Sequence, residues 1–404
     1  MAAQSFIVAA KRTPFGAFGG KLKDLTANEL GGLAAKAAIG SLPATVQTHL
    51  ATSTSPRQSV IFGNVLQTSA DAPYLARHVG HRAGLPVTTP ANTVNRLCTS
   101  GFQAIIDAVL NIKADDADIV VTGGAESMSQ APYVLRNVRW GTKFGPEYLK
   151  MEDSLMSALT DRYPEPVPMA ITAERLAEKY AISRADCDAF ALRSQQRWAA
   201  ANEAGVFASE IAPVDVKVKR ATESMTADEH PRPQTTVEAL GRLAPVFKKD
   251  GVVTAGNASG ISDGASAVIV ASEAAVAQHG IAPLARIVSY HIVGVEPGLM
   301  GIGPVDAIRG AVAKAGLSLA QMDLIEINEA FAAQVLACAK ELDIDPARVN
   351  QSGGAIALGH PLGASGSRIM THLAHRLRAT GGRYGVGSAC AGGGQGVAIV
   401  IEAL

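Results

Sequence analysis

Cysteine is scarce in this chain: there are four among 404 residues, Cys98, Cys187, Cys338 and Cys390, and no two form a CxxC pair. That spacing excludes a disulfide framework and a zinc ribbon, and it fits a reducing, intracellular setting. Net charge is missing too, with 36 Lys and Arg set against 36 Asp and Glu. A neutral chain offers no global attraction for nucleic acid or an anionic membrane surface, so an acidic ligand has to be held by cations gathered locally. No apolar run is long enough to span a bilayer. The start, MAAQSFIVAAKRTPFG, enters strand-like sequence directly, without the pattern of a signal or transit extension, and the final EAL is not a peroxisomal address.

Hydrophobic residues at 48% and charged residues at 18% exclude disorder. The length allows two domains, because single cores stop growing at about 250–300 residues. Short β-branched runs alternate with helical patterns: DIVVTGG follows a helix, ASAVIVAS follows a Gly-rich turn, and DLIEINEA leads into FAAQVLACAKEL. This is the βα rhythm of a layered α/β fold. Residues 125–254 differ in character, carrying both tryptophans and the Pro-rich YPEPVP and HPRP, and read as an insertion of helices and long loops beside the core. A faint duplication links TVNRLCTSGFQAI to RVNQSGGAIALGHPLGASGSRIM, each running from an extended VN segment through small residues into a helix.

Four places carry potential chemistry. After Cys98, apolar residues at Phe102, Ile105, Ile106, Val109 and Leu110 mark one helical stripe, so a helix begins just past the cysteine. Its unpaired N–H groups, with no acid in the first turn, favour a thiolate and hence a nucleophile; a buried small hydrophobe is the alternative. His360 stands among glycines that let backbone approach closely, a setting for a base or for an ordinary loop histidine. Cys390 precedes Gly392, Gly393 and Gly394 between two apolar strands, where glycines can turn backbone N–H groups toward a reacting oxygen or simply form a hairpin. Asn328 of INEAF lies where a strand hands over to a helix, as a functional amide or as an N-cap.

Together, NRLCTSGFQ, GGAESMSQAPY, TAGNASGISDGA, INEAF, GGAIALGHPLGASG and SACAGGGQG resemble the thiolase family, in the family's order and over nearly the whole chain. GNVLQTSADAPYLARHVG, RNVRWGTKFG, SQQRWAAANEAGVF and DEHPRPQTT are most similar to its mitochondrial members that cleave 3-ketoacyl-CoA. The resemblance implies an α/β thiolase fold: two duplicated mixed-sheet halves in five layers (αβαβα) with an inserted loop domain. Residues 1–124, completed by about 255–280, would form the N-terminal half, 125–254 the insertion and 281–404 the C-terminal half. It also implies roles: Cys98 as nucleophile, His360 as its base, Cys390 as proton donor to the departing enolate, and Asn328 holding a water beside His360. The N–H groups of Cys98 and Gly392 would form a second oxyanion hole. Arg232 and Thr235 would meet the nucleotide end of CoA, Ser259 the pantetheine and Met169 the acyl chain. The unperturbed thiol pKa, about 8.5, suits Cys390 to proton exchange near neutral pH.

CoA is then a co-substrate, with no permanently bound cofactor and no metal. GGGQG lies between strands and lacks the helix and distal acid of a dinucleotide fingerprint, so no nicotinamide is expected. Lys217, Lys219 and Arg220 of VKVKR offer further cations for CoA phosphates, or a solvated edge strand. Expected partners are acyl-CoA and CoA, with no nucleic acid, and further copies of the chain as a homodimer or homotetramer. The resemblance points to the mitochondrial matrix, with the cytoplasm also compatible. Pro168, before Met169, stands where thiolases specialised for acetoacetyl-CoA commonly carry His, which favours the degradative type. Acetoacetyl-CoA formation, acyl-CoA hydrolysis and non-catalytic CoA binding remain as alternatives, while a second cysteine in place of a histidine argues against a decarboxylating ketoacyl synthase. The Ser/Thr-rich stretch at 41–60 departs from the family and is expected to be a long mobile loop; Thr99 and Ala391 are further departures expected to reshape the pocket.

Overall fold

The computed structural model describes residues 4–53, 57–143, 145 and 149–404. A first half comprises β1 (Ser5–Arg12), β2 (Gln58–Gly63), β3 (Ala91–Val94), β4 (Ile119–Ser127) and, beyond the insertion, β5 (Ser262–Ser272). β2, β4 and β5 are buried along their whole length, as strands covered on both faces must be. In space they run β3-β2-β4-β5-β1, parallel around β2 and antiparallel around β5.

The second half, β6 (Ala285–Gly294), β7 (Leu324–Ile327), β8 (Tyr384–Ala391) and β9 (Gln395–Ala403), repeats the plan as β7-β8-β9-β6. β7 and β8 are parallel, the other pairs antiparallel, and Val349 bridges Ile325 in parallel where the first half has β3. The TVN and RVN segments therefore occupy corresponding places. Even an irregularity repeats: register shifts at Ile7/Ala9 in β1 and at Ile287/Ser289 in β6. The halves also join edge to edge, Ser5–Ile7 pairing with Ala285–Ile287; with the short strand Gly16–Ala17 pairing to the start of β5, the described residues make one ten-stranded sheet.

Between the halves lie α4 (Ser100–Lys113) and α9 (Leu362–Thr380), with α9 touching α4 and strands of both halves. α4 buries Phe102, Ile105, Ile106 and Val109, each contributing about 1.5–3 kcal/mol; Leu110 instead faces outward. The two helices meet through glycine: a Cβ on Gly101 would stand 2.5 Å from Ser367 N, and one on Gly366 2.4 Å from Phe102 N. α1 (Ala27–Gly40) and α3 (Leu75–Arg82) cover the outer face of the first half; α7 (Gly303–Lys314) and α8 (Ala332–Leu342) form the outer layer over the second.

Much of the Ser/Thr-rich stretch is helix rather than mobile loop: α2 (Ala44–Thr52) starts after Pro43 and buries Val46 and Leu50, one turn apart. Residues 54–56 of that stretch lie outside the described residues. The region 125–254 contains α5 (Met169–Lys179) and α6 (Arg184–Glu203), the latter opened by a Ser183–Asp186 capping box. VKVKR belongs to a hairpin, Val214–Val218 with Ala221–Met225, whose Lys217, Lys219 and Arg220 are exposed and whose Val214 and Val216 are buried. A buried ion network ties the region to β1: Arg12 binds Glu210 at 2.8 Å and Asp228 at 2.6 Å. Among the described residues no helix is long and apolar enough to cross a membrane.

Candidate active site

The turn from β3 into α4 is tightly tied. The carbonyl of Arg96 accepts Thr99 N at 3.1 Å and Thr99 Oγ1 at 2.8 Å, while Ser100 Oγ accepts Arg96 N at 2.9 Å. Leu97 takes the left-handed conformation, φ 49°, and Cys98 follows it. The Arg96 guanidinium bonds to Gln395 at 2.8 Å, linking this turn to the glycine turn after Cys390, and the N–H of Gly392 points at the Cys98 sulfur.

Helix α9 begins at Leu362, and His360 lies just before it. Gly359 has φ 100°, and a Cβ there would stand 2.1 Å from Ser262 Oγ, so only glycine brings the chain through. His360 N then donates to Gly260 O at 3.0 Å. Ser365 Oγ donates to Pro361 O at 3.0 Å and accepts Nδ1–H of His360 at 2.5 Å. The lone pair is thereby left on Nε2, with Asn328 Nδ2 3.3 Å away. Asn328 is not an N-cap: α8 starts four residues later, with Phe331 at its cap. Its buried Oδ1 has no partner among the described residues.

Cys98, His360 and Cys390 line one cavity of about 320 Å³, whose remaining wall is largely apolar: Met128, Met156, Leu159, Met169, Phe331 and Leu362 among others. Electrostatics differ from the expectation of a thiolate at a helix terminus. Burial pushes the Cys98 thiol up to about 11, Gly392 N–H opposes the shift and Glu126 adds to it. Desolvation outweighs the helix terminus. Burial, then the neighbouring Cys98 and Cys338, also raises Cys390 well above an ordinary thiol, so it is not poised near neutrality. Burial, with Arg368 behind it, holds His360 down at about 3. The cavity thus holds a neutral imidazole and two protonated thiols, which is the starting state for base-assisted thiol attack.

Comparison with known proteins decides the family. Residues 5–274 match the thiolase N-terminal domain and residues 281–403 the thiolase C-terminal domain. This chain belongs to the thiolase family. It is 60% identical over 397 residues to the mitochondrial 3-ketoacyl-CoA thiolase of Homo sapiens, covering 98% of each chain. The crystal structure of human mitochondrial 3-ketoacyl-CoA thiolase superposes with a TM-score of 0.95 at 59% identity, covering 100% of both chains. The same human enzyme in complex with CoA gives a TM-score of 0.94 at 58% identity, over 100% of this chain and 98% of that one.

Against this thiolase frame the other candidates fall in two groups. Met169, first residue of α5, and Ser259 line the cavity, Met169 packing beside Cys390. Arg232 and Thr235 lie outside the cavity lining, on an exposed turn where Thr235 Oγ1 donates to Arg232 O at 2.7 Å and Arg232 Nη1 to the carbonyl of His230 at 2.7 Å. Thr99 and Ala391 do not reshape the pocket: both are buried and neither lines it, Thr99 being spent on Arg96. Cys187 and Cys338 belong to the hydrophobic core. Sequence reasoning missed Ser365, five residues after His360 in the first turns of α9, and Glu126, fully buried near the end of β4.

Proposed function

We propose that this thiolase cleaves 3-ketoacyl-CoA with CoA, giving acetyl-CoA and an acyl-CoA shortened by two carbons, and that it runs in reverse as a Claisen condensation. The observation that carries the reading is the common cavity of Cys98, His360 and Cys390. Nε2 of neutral His360 takes the proton of Cys98, and the thiolate attacks C3 of the substrate. The C2–C3 bond then breaks, leaving the acyl group on Cys98 and the enolate of acetyl-CoA, whose C2 takes the proton of Cys390. CoA next gives its thiol proton to the Cys390 thiolate and attacks the acyl-Cys98 carbonyl; collapse releases Cys98, which recovers its proton from His360.

The enolate oxygen is assigned to His360 and a water on Asn328, whose unpartnered buried Oδ1 suits a water-binding role. The N–H of Gly392, aimed at the Cys98 sulfur, favours a second hole with Cys98 N–H; a single such donor is worth about 2.7–4 kcal/mol. Arg232 and Thr235 are assigned to the nucleotide end of CoA, Ser259 to the pantetheine and Met169, with its pliable thioether, to the acyl chain. CoA acts as co-substrate, with no permanently held cofactor. Residues 1–124 with 255–280, 125–254 and 281–404 are taken as first half, insertion and second half. By similarity to the mitochondrial relatives, a homodimer or homotetramer in the mitochondrial matrix is proposed. Loss of 3-ketoacyl-CoA absorbance on adding CoA tests the reading, with Cys98→Ala as control; unchanged decay in that variant contradicts it.

A further inference from the structure

Glu126, in GGAESMSQAPY, is fully buried one residue before the end of β4 and has no role in the steps above. Its carboxylate accepts four N–H groups. Oε1 takes Asn64 Nδ2 at 3.1 Å and Leu66 N at 2.9 Å; Oε2 takes Val65 N at 3.1 Å and Gly363 N at 2.8 Å. Every contact is a donor, so an O–H on this group would face an N–H and break one bond, and the bonding calls for the ionised form. The tethered segments meet at the nucleophile: Leu66, Met128 and Leu362 form one cluster against which Cys98 packs. Gly363 stands three residues beyond His360, and a Cβ added there would stand 3.0 Å from Oε2.

We infer that Glu126 is a positioning residue for the reacting pair: it fastens the segment after His360 to the wall beside Cys98. Two further facts fit. Burial is the main cause of the raised Cys98 thiol and Glu126 is the carboxylate that adds to it; the other groups facing Cys98 are the N–H of Gly392, the imidazole of His360 and the Cys390 thiol. Burial, with Asp263 behind it, pushes Glu126 itself up to about 7 against the pull of its N–H donors, so acidification loosens the Gly363 tether. The inference rests on Cys98 and His360 being the reacting groups.

The test combines steady-state thiolysis with the pH profile of Cys98 alkylation by iodoacetamide in Glu126→Gln and Glu126→Asp. An amide must turn its NH₂ toward one pair of donors, so Glu126→Gln loses both the tether and the charge. It is expected to lose at least tenfold in kcat with KM for the acyl-CoA within threefold, while its alkylation profile moves to lower pH. Glu126→Asp keeps the charge, so its alkylation profile stays near wild type while kcat falls less. Wild-type kcat and an unmoved profile in Glu126→Gln overturn the inference. If Glu126→Gln fails to fold by circular dichroism, Glu126→Asp decides: reduced kcat on a native profile supports the inference, and full kcat overturns it. Cys98→Ala, run alongside, separates the two claims, since its full activity would sink the reaction scheme itself.

Discussion

The hydroxyl of Ser365 lies 2.5 Å from Nδ1 of His360 and gives its own proton to the carbonyl of Pro361, 3.0 Å away. That chain of donors selects the tautomer and leaves Nε2, which faces Asn328 Nδ2 at 3.3 Å, as the acceptor for the Cys98 proton. Ser365→Ala leaves Nδ1–H buried and unpaired, at a cost of about 1–3 kcal/mol. The expected result is a kcat lower by about 10–100-fold at nearly constant KM for the acyl-CoA, read by steady-state kinetics.

The depressed basicity of His360 links activity to stability. Between its ordinary value of 6.5 and its folded value of about 3, the unfolded chain binds a proton that the folded chain refuses, so stability falls as pH drops through that window. His360→Asn lacks the effect. Urea midpoints at pH 7 and pH 5 should show wild type losing about 2 kcal/mol more than the variant; equal losses would remove the basis for a neutral base at this position.

Gly359→Ala places a methyl 2.1 Å from Ser262 Oγ on a backbone with φ 100°. Shifting that turn moves His360, whose N–H is anchored at Gly260. Strain of about 1–3 kcal/mol is expected, seen as a lowered melting temperature together with a kcat reduced more than tenfold.

Arg12 holds Glu210 and Asp228 where all three are buried, and Glu210 also binds His372 at 2.9 Å. Removing the cation strands two carboxylates. Arg12→Met should cost about 3–5 kcal/mol in chemical denaturation, well beyond the change expected for an exposed arginine such as Arg139.

How much of this was legible beforehand depended on how local each feature is. Cys98, His360, Cys390 and Asn328 sit in short stretches whose residue types already suggest chemistry, and the repeated VN segments foretold the matching half-sheets. Ser/Thr content suggests a loop at 41–60, yet Val46 and Leu50, spaced for one buried face, make Ala44–Thr52 a helix. A helix start suggested a thiolate at Cys98, but the depth of burial decides that balance and only the folded surroundings reveal it. Glu126 and Gly363 are 237 residues apart in the chain, so no local pattern could pair them. Ser365 was within reach of His360, but a hydroxyl five residues on has no distinctive spacing.

Mass spectrometry of the enzyme mixed with a 3-ketoacyl-CoA in the absence of free CoA tests the scheme most directly. One equivalent of acetyl-CoA should be released while the peptide containing Cys98 gains the mass of the shortened acyl group, and added CoA should remove it. Acylation of Cys390 instead, or acetyl-CoA release with Cys98 unmodified, would contradict the account.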